Sequence, residues 1–126
     1  MHIEELHEYC LSLKGATESF PFDESTLVFK VAGRMFAVIP LEKTDLQITL
    51  KCDPEKAIEL REKYTCVEPA FHFNKKSWNS IYLNSGMNDE QIKHWICHSI
   101  EQVMQKQPRR VKEEYYNFKK SNSRET

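Results

Sequence analysis

Residues 26–52, TLVFKVAGRMFAVIPLEKTDLQITLKC, decide the fold. They hold three short runs rich in Val, Ile, Leu, Phe and Thr, the composition of strands rather than helices. TLVFKVA (26–32) and MFAVIPL (35–41) flank Gly33-Arg34, a short-hairpin signal. After the turn EKTD comes LQITLKC (46–52), where Leu46, Ile48 and Leu50 alternate with Gln47, Thr49 and Lys51. A period of two puts the aliphatic three on one face of a strand and the polar three on the other.

Helical patterns lie on both sides of this block. In IEELHEYCLSL (3–13), Ile3, Leu6, Cys10 and Leu13 make one apolar face, and Glu4, Glu5 and Glu8 suit the N-terminal end of the helix dipole. Gly15 is a stop signal, and GATESFPFDES (15–25) reads as a loop pinned by Phe20 and Phe22. Asp53-Pro54-Glu55 starts a second helix that runs to about Tyr64, with Ala57, Leu60 and Tyr64 inward. NSIYLN (79–84) reads as a further strand, with Ile81 and Leu83 on one face. Asn88 caps a long helix over about 89–106, with Gln91 placed to bond back; Ile92, Ile96, Ile100 and Val103 form its core stripe. Pro108 ends it.

The order is helix, three strands, helix, one or two strands, helix. It predicts an α+β domain over residues 1–106, an antiparallel sheet with helices packed on one face. Residues 107–126 read as a basic, partly disordered tail, in which Val111, Tyr115, Tyr116 and Phe118 can dock as a helical turn or two.

Composition bounds the function. A chain of 126 residues with 40% hydrophobic content supports one modest core. No run approaches the ~18 apolar residues of a membrane span, and the charged N-terminus, MHIEELHEY, is not a secretory signal. The expectation is a cytoplasmic protein with no membrane partner. The four cysteines, Cys10, Cys52, Cys66 and Cys97, form no CxxC pair, so zinc ribbons and redox motifs are disfavoured and buried thiols expected. The net charge of -1 conceals a tail of +3 and a remainder of -4, so nucleic-acid binding would need a local basic patch.

That patch has one best candidate, PAFHFNKKSWNSIYL (69–83). Lys75 and Lys76 are suited to phosphate, and Asn74 and His72 to phosphate or base edges. Trp78 can stack on a base or serve as a core anchor. Arg34, at the hairpin tip, and Lys51 extend the patch if the fold brings them near. His94 and His98, four apart on the last long helix with Cys97 beside them, read as a solvent-facing pair rather than a metal site, because structural zinc normally takes four ligands. No Gly-rich phosphate loop or G-x-S-x-G elbow occurs, and no cofactor or catalytic residue is expected.

Three stretches, GATESFPFDESTLVFKVAGRMFAVIPL, LKCDPE and PAFHFNKKSWNSIYL, resemble the MmcQ/YjbR family in order and spacing. The most specific elements are Pro69, His72, Asn74, Lys75 and Trp78, supported by Phe20-Pro21-Phe22. The resemblance implies a CyaY-like α+β fold and a DNA-binding role through a "double-wing" motif. It brings no catalytic residues. An iron-binding role does not transfer, since Glu4, Glu5 and Glu8 are too few for an acidic metal ridge.

Two functions follow as expectations. One is a non-enzymatic protein binding DNA weakly and without sequence preference through its basic loop. The alternative is a module for a protein or small anionic ligand, with a pocket at the His72/Asn74/Trp78 loop. A continuous positive face favours the first, and a concave pocket with a few polar groups the second.

Overall fold

The structure is a computed structural model that describes residues 1–124, with side chains as far as Asn117. Its elements are α1 (Ile3–Ser12), β1 (Thr17–Ser19), β2 (Thr26–Val31), β3 (Arg34–Pro40), β4 (Gln47–Lys51), α2 (Pro54–Lys63), β5 (Val67–Pro69), β6 (Trp78–Tyr82), α3 (Asp89–Gln105) and α4 (Arg109–Arg124). The strands form one antiparallel sheet in the order β1-β2-β3-β4-β6-β5. The fold is α+β, as the sequence predicts.

The alternation of the strands sets the core. Leu27, Phe29, Ile39, Ile48, Leu50 and Ile81 face the helices and join Leu6, Cys10, Ala57, Leu60, Ile92, Ile96 and Met104 in one buried cluster. Each such aliphatic side chain contributes roughly 1.5–3 kcal/mol on burial. α3 packs on β3 and β4, and α2 on β5 and β6. The expected caps form: Asp53 accepts the Lys56 N–H, and Asn88 and Gln91 make a reciprocal capping box.

β3 carries a bulge that periodicity alone does not reveal. Phe29 pairs with Ala37 and Lys30 with Met35, leaving Phe36 as the extra residue. Phe36 and Ala37 are therefore both fully buried in the core cluster. The Phe36 carbonyl is satisfied by the Ser99 hydroxyl at 2.5 Å, and the same hydroxyl accepts the Lys51 N–H at 2.9 Å. One serine of α3 thus closes the end of the β3–β4 ladder.

Three expectations change. The segment 15–25 contains a short edge strand, β1, which pairs Thr17 with Lys30 and Ser19 with Val28. The hairpin turn is Ala32-Gly33 rather than Gly33-Arg34. Both residues have positive φ, +50° and +74°, and Arg34 is the first residue of β3, opposite Val31. The segment after Pro108 is helical from Arg109 to Arg124, longer than a turn or two, and Val111 and Tyr115 pack against the core. Tyr115 lies over Gly15, 3.6 Å from where a Cβ would stand. The expected docking of Phe118 and the charges of Lys119, Lys120, Arg124 and Glu125 lie outside the described side chains.

Candidate functional site

Side chains of β4 and β6 that alternate with the core residues point to the opposite face of the sheet. In a two-layer domain that face meets water. Here Gln47, Thr49 and Ser80 are only 8%, 5% and 6% exposed. The reason is two loops that fold over this face, 20–25 between β1 and β2, and 70–77 between β5 and β6. Between them lies a cavity of about 550 Å³.

The first loop is held by Asp23. Its carboxylate accepts the Thr26 hydroxyl at 3.1 Å, the Ser25 N–H at 2.9 Å and the Ser25 hydroxyl at 3.2 Å. These bonds, that from Thr26 foremost, hold the carboxyl below its usual range. Phe20 and Phe22 do not pin the loop inward as expected: they are 48% and 60% exposed, and Phe22 lines the cavity. A short polar staple does the work assigned to the two rings.

The second loop is two consecutive turns. The Phe73 N–H bonds the Ala70 carbonyl and the Ser77 N–H the Asn74 carbonyl, both at 3.1 Å. Asn74 Oδ1 accepts the Lys76 N–H at 3.1 Å, a turn in which asparagine's side chain imitates backbone. Arg61 of α2 locks this loop to the sheet. Its Nη2 donates to the Lys75 carbonyl at 2.7 Å and its Nε to Asn79 Oδ1 at 2.9 Å. Asn79, buried in β6, donates in turn to the Ala57 carbonyl at 3.2 Å. Phe73 stacks on Trp78 with ring centroids 5.1 Å apart, and Lys75 Nζ lies 5.2 Å from the centre of the Phe71 ring.

The floor carries the polar groups. Thr49 and Ser80 share a buried hydroxyl–hydroxyl bond of 2.8 Å, which uses one of their two protons. The Tyr82 hydroxyl donates to Glu68 Oε1 at 2.9 Å, and this bond raises the phenol's pKa. Gln47 also lines the cavity; its carboxamide bonds no other described residue and is open to the cavity rather than sealed in the core.

The expected site residues separate into three groups. His72 lines the cavity. Asn74 is spent on its own turn, and Trp78 is half-buried behind Phe73, outside the cavity lining. Lys75 and Lys76 are exposed on the loop. Arg34 opens β3, Lys51 closes β4 opposite Trp78, and the two loop lysines precede β6, so antiparallel pairing brings all four to one end of the sheet. Lys51 is half-buried, and desolvation, then Lys106, lowers its pKa.

Elsewhere, His98 is not solvent-facing. It is 7% exposed, and its Nε2 accepts the Asp53 N–H at 3.2 Å. Burial, followed by Lys56, lowers its pKa. Trp95 stands edge-on to both His94 and His98. No cluster of three or more His, Cys, Asp or Glu suited to a metal occurs among the described residues. The four cysteines are free thiols, three of them buried; burial foremost pushes Cys10 up to about 12 and Cys52 to about 11. No helix among the described residues is long and apolar enough to cross a membrane.

Sequence reasoning missed Gln47, Thr49, Ser80, Glu68, Phe22 and Phe71 as lining residues. A signal existed: small or amidic polar residues on the outward face of a central strand, with phenylalanines in the loops on either side.

Comparison with known proteins places this architecture. The YjbR family model matches residues 11–102. Protein YjbR of Escherichia coli K12 is 33% identical over 104 residues, 82% of this chain and 88% of that protein. Protein YbdF of Escherichia coli O157:H7 is 29% identical over 100 residues, 76% and 82% of the two chains. The crystal structure of the Deinococcus radiodurans protein DR2400, with a domain of family DUF419, superposes with a TM-score of 0.83 at 32% identity, covering 90% of this chain and 86% of that one. A crystal structure from Pseudomonas syringae gives 0.69 at 25% identity, covering 79% and 96%. On the family match and these identities, the chain belongs to the YjbR family.

Proposed function

We propose that this protein is a binding module, not an enzyme, and that it takes a small ligand into the cavity on the helix-free face of its sheet. The observation that carries the reading is Gln47, more than nine-tenths buried, facing the cavity and unpartnered. No buried side-chain nitrogen or oxygen among the described residues lacks a partner, so the Gln47 carboxamide is open to the cavity and free to bond a ligand there. The walls support the same reading, because Phe22 and the loop after Pro69 belong to the two stretches most specific to the family resemblance. Concave sites with apolar walls and a few convergent polar groups are the usual form of a ligand pocket. The Tyr82 hydroxyl, its proton committed to Glu68, is left as an acceptor at the cavity.

The test is a fragment screen by ligand-observed NMR on the wild type and on Ser80→Leu, which fills the floor with an apolar group. Fragments that bind the wild type and are lost in a folded Ser80→Leu variant support the reading. An empty screen, or hits indifferent to the substitution, contradict it.

A second reading, weak DNA binding with little sequence preference, is supported by the common end of the sheet that Arg34, Lys51, Lys75 and Lys76 share. It predicts fluorescence anisotropy binding that falls steeply with salt and weakens in Lys75→Ala/Lys76→Ala. No binding at low salt by the folded protein removes it.

A further inference from the structure

The chemistry of the cavity narrows its ligand, given the pocket reading above. Gln47 offers two N–H donors and a carbonyl acceptor from one planar group. Beside it, the Thr49–Ser80 pair keeps one hydroxyl proton uncommitted. These groups together match a flat edge that both donates and accepts, the edge of a cyclic amide or amidine. The walls match the faces of such a ring. Phe22 comes from one loop and Phe71 from the other, both more than half exposed at the cavity. Exposed phenylalanines beside a polar floor suit a ligand that is aromatic on its faces and polar on its edge.

We infer that the cavity binds a planar nitrogen heterocycle of the nucleobase type, its hydrogen-bonding edge against Gln47 and its ring between the phenylalanines of the two loops. Glutamine reads such an edge with two parallel bonds, as it does adenine in a DNA groove. Lys75 is not part of the lining, but its Nζ lies 5.2 Å from the centre of the Phe71 ring, so a phosphate attached to a heterocycle beside Phe71 would find a positive charge there. The heterocycle has two possible sources, a free nucleoside or nucleotide and an unpaired base of a single strand.

The experiment is titration of the ¹⁵N-labelled full chain with adenosine, uridine and their monophosphates, followed through the amides of 20–25, 47–49, 70–73 and 80–82. The edge controls are uridine methylated on its ring nitrogen and adenosine dimethylated on its amino group. The protein control is Gln47→Leu, which keeps the volume and removes the amide. A short single-stranded oligonucleotide distinguishes the two sources. The inference expects saturable shifts confined to the cavity with at least one unmodified probe. It also expects binding roughly tenfold weaker for the matching edge-blocked analogue and for Gln47→Leu, the loss of one or two hydrogen bonds. Binding by the oligonucleotide alone identifies the strand as the source and leaves the inferred chemistry intact. Unrelated fragments that shift the cavity amides while all nucleobase probes fail overturn the ligand class and leave the pocket reading standing. Nucleobase shifts equal in wild type and Gln47→Leu overturn the assigned role of the edge. A cavity silent to every compound overturns both.

Discussion

The two faces of one sheet are built from the same strands and end differently. Towards the helices, Phe29, Ile48 and Ile81 bury apolar surface in a continuous cluster. On the other face, one residue along, Thr49 and Ser80 are nearly as buried but polar, under loops instead of helices. The first face is explained by stability alone. The second carries a hydroxyl pair and an amide that opens onto the cavity, polar groups that packing alone does not call for.

The contrast is sharpest under truncation. Ile48→Ala removes a fully buried side chain from the helix-side core and is expected to cost about 2–5 kcal/mol in urea unfolding. Thr49→Val, on the adjacent residue, is expected to cost only about 1 kcal/mol, since it breaks one neutral hydrogen bond and preserves volume. Equal losses would mean that the second face is also packed for stability.

Next in size is the lock on the roof. Arg61→Met removes the two bonds to the Lys75 carbonyl and Asn79, and roughly 1.5–3 kcal/mol with them. Amide hydrogen exchange in 70–77 is expected to accelerate more than exchange in β3 and β4. Uniform acceleration would show Arg61 to be merely a global stabiliser.

A smaller effect, of opposite sign, belongs to the β2–β3 turn. Ala32 is exposed at a φ of +50°, where a Cβ is strained. Ala32→Gly and Ala32→Asn should each raise stability by about 0.5–1 kcal/mol, read as a higher urea midpoint with an unchanged slope.

The smallest effect is a pH dependence on the helix side. His98 accepts the Asp53 N–H through Nε2, which requires the neutral ring, and its folded pKa lies below the ordinary 6.5. The unfolded chain therefore binds the proton more readily. The contribution of His98 is intact above pH 6.5 and is lost as pH falls from there through the lower folded value. His98→Gln, which keeps an acceptor without titrating, should flatten that part of the stability profile.

The helix-side face was legible because it obeys simple periods. The stripe Ile92, Ile96, Ile100 and Val103, the alternation Leu46, Ile48, Leu50 and the caps Asp53 and Asn88 each follow from spacing of three to four, spacing of two, or one side-chain oxygen. The bulge at Phe36 was not legible, because an extra residue in a run of apolar residues leaves the pattern apolar. His98 was misjudged for a related reason. Four apart from His94, it lies on the same side of the helix one turn further along, where it meets the start of α2, a contact set by tertiary packing. The cavity was half legible. His72 was named, but Gln47 and Thr49 read only as the polar face of a strand and Ser80 was not singled out, since nothing local says that two loops will cover them. Asn74 and Trp78 stood out in the sequence because they shape the loop.

The measurement that bears most directly on this account is residue-resolved mapping of bound fragments on the ¹⁵N-labelled protein. With the cavity as the binding site, the amides of Gln47, Thr49, Ser80 and the 70–73 turn move together on binding, while those of the basic end, Arg34, Lys51 and Lys76, stay still. Shifts centred on Arg34, Lys51 and Lys76, with the cavity unmoved, would contradict it and return the function to the charged end of the sheet.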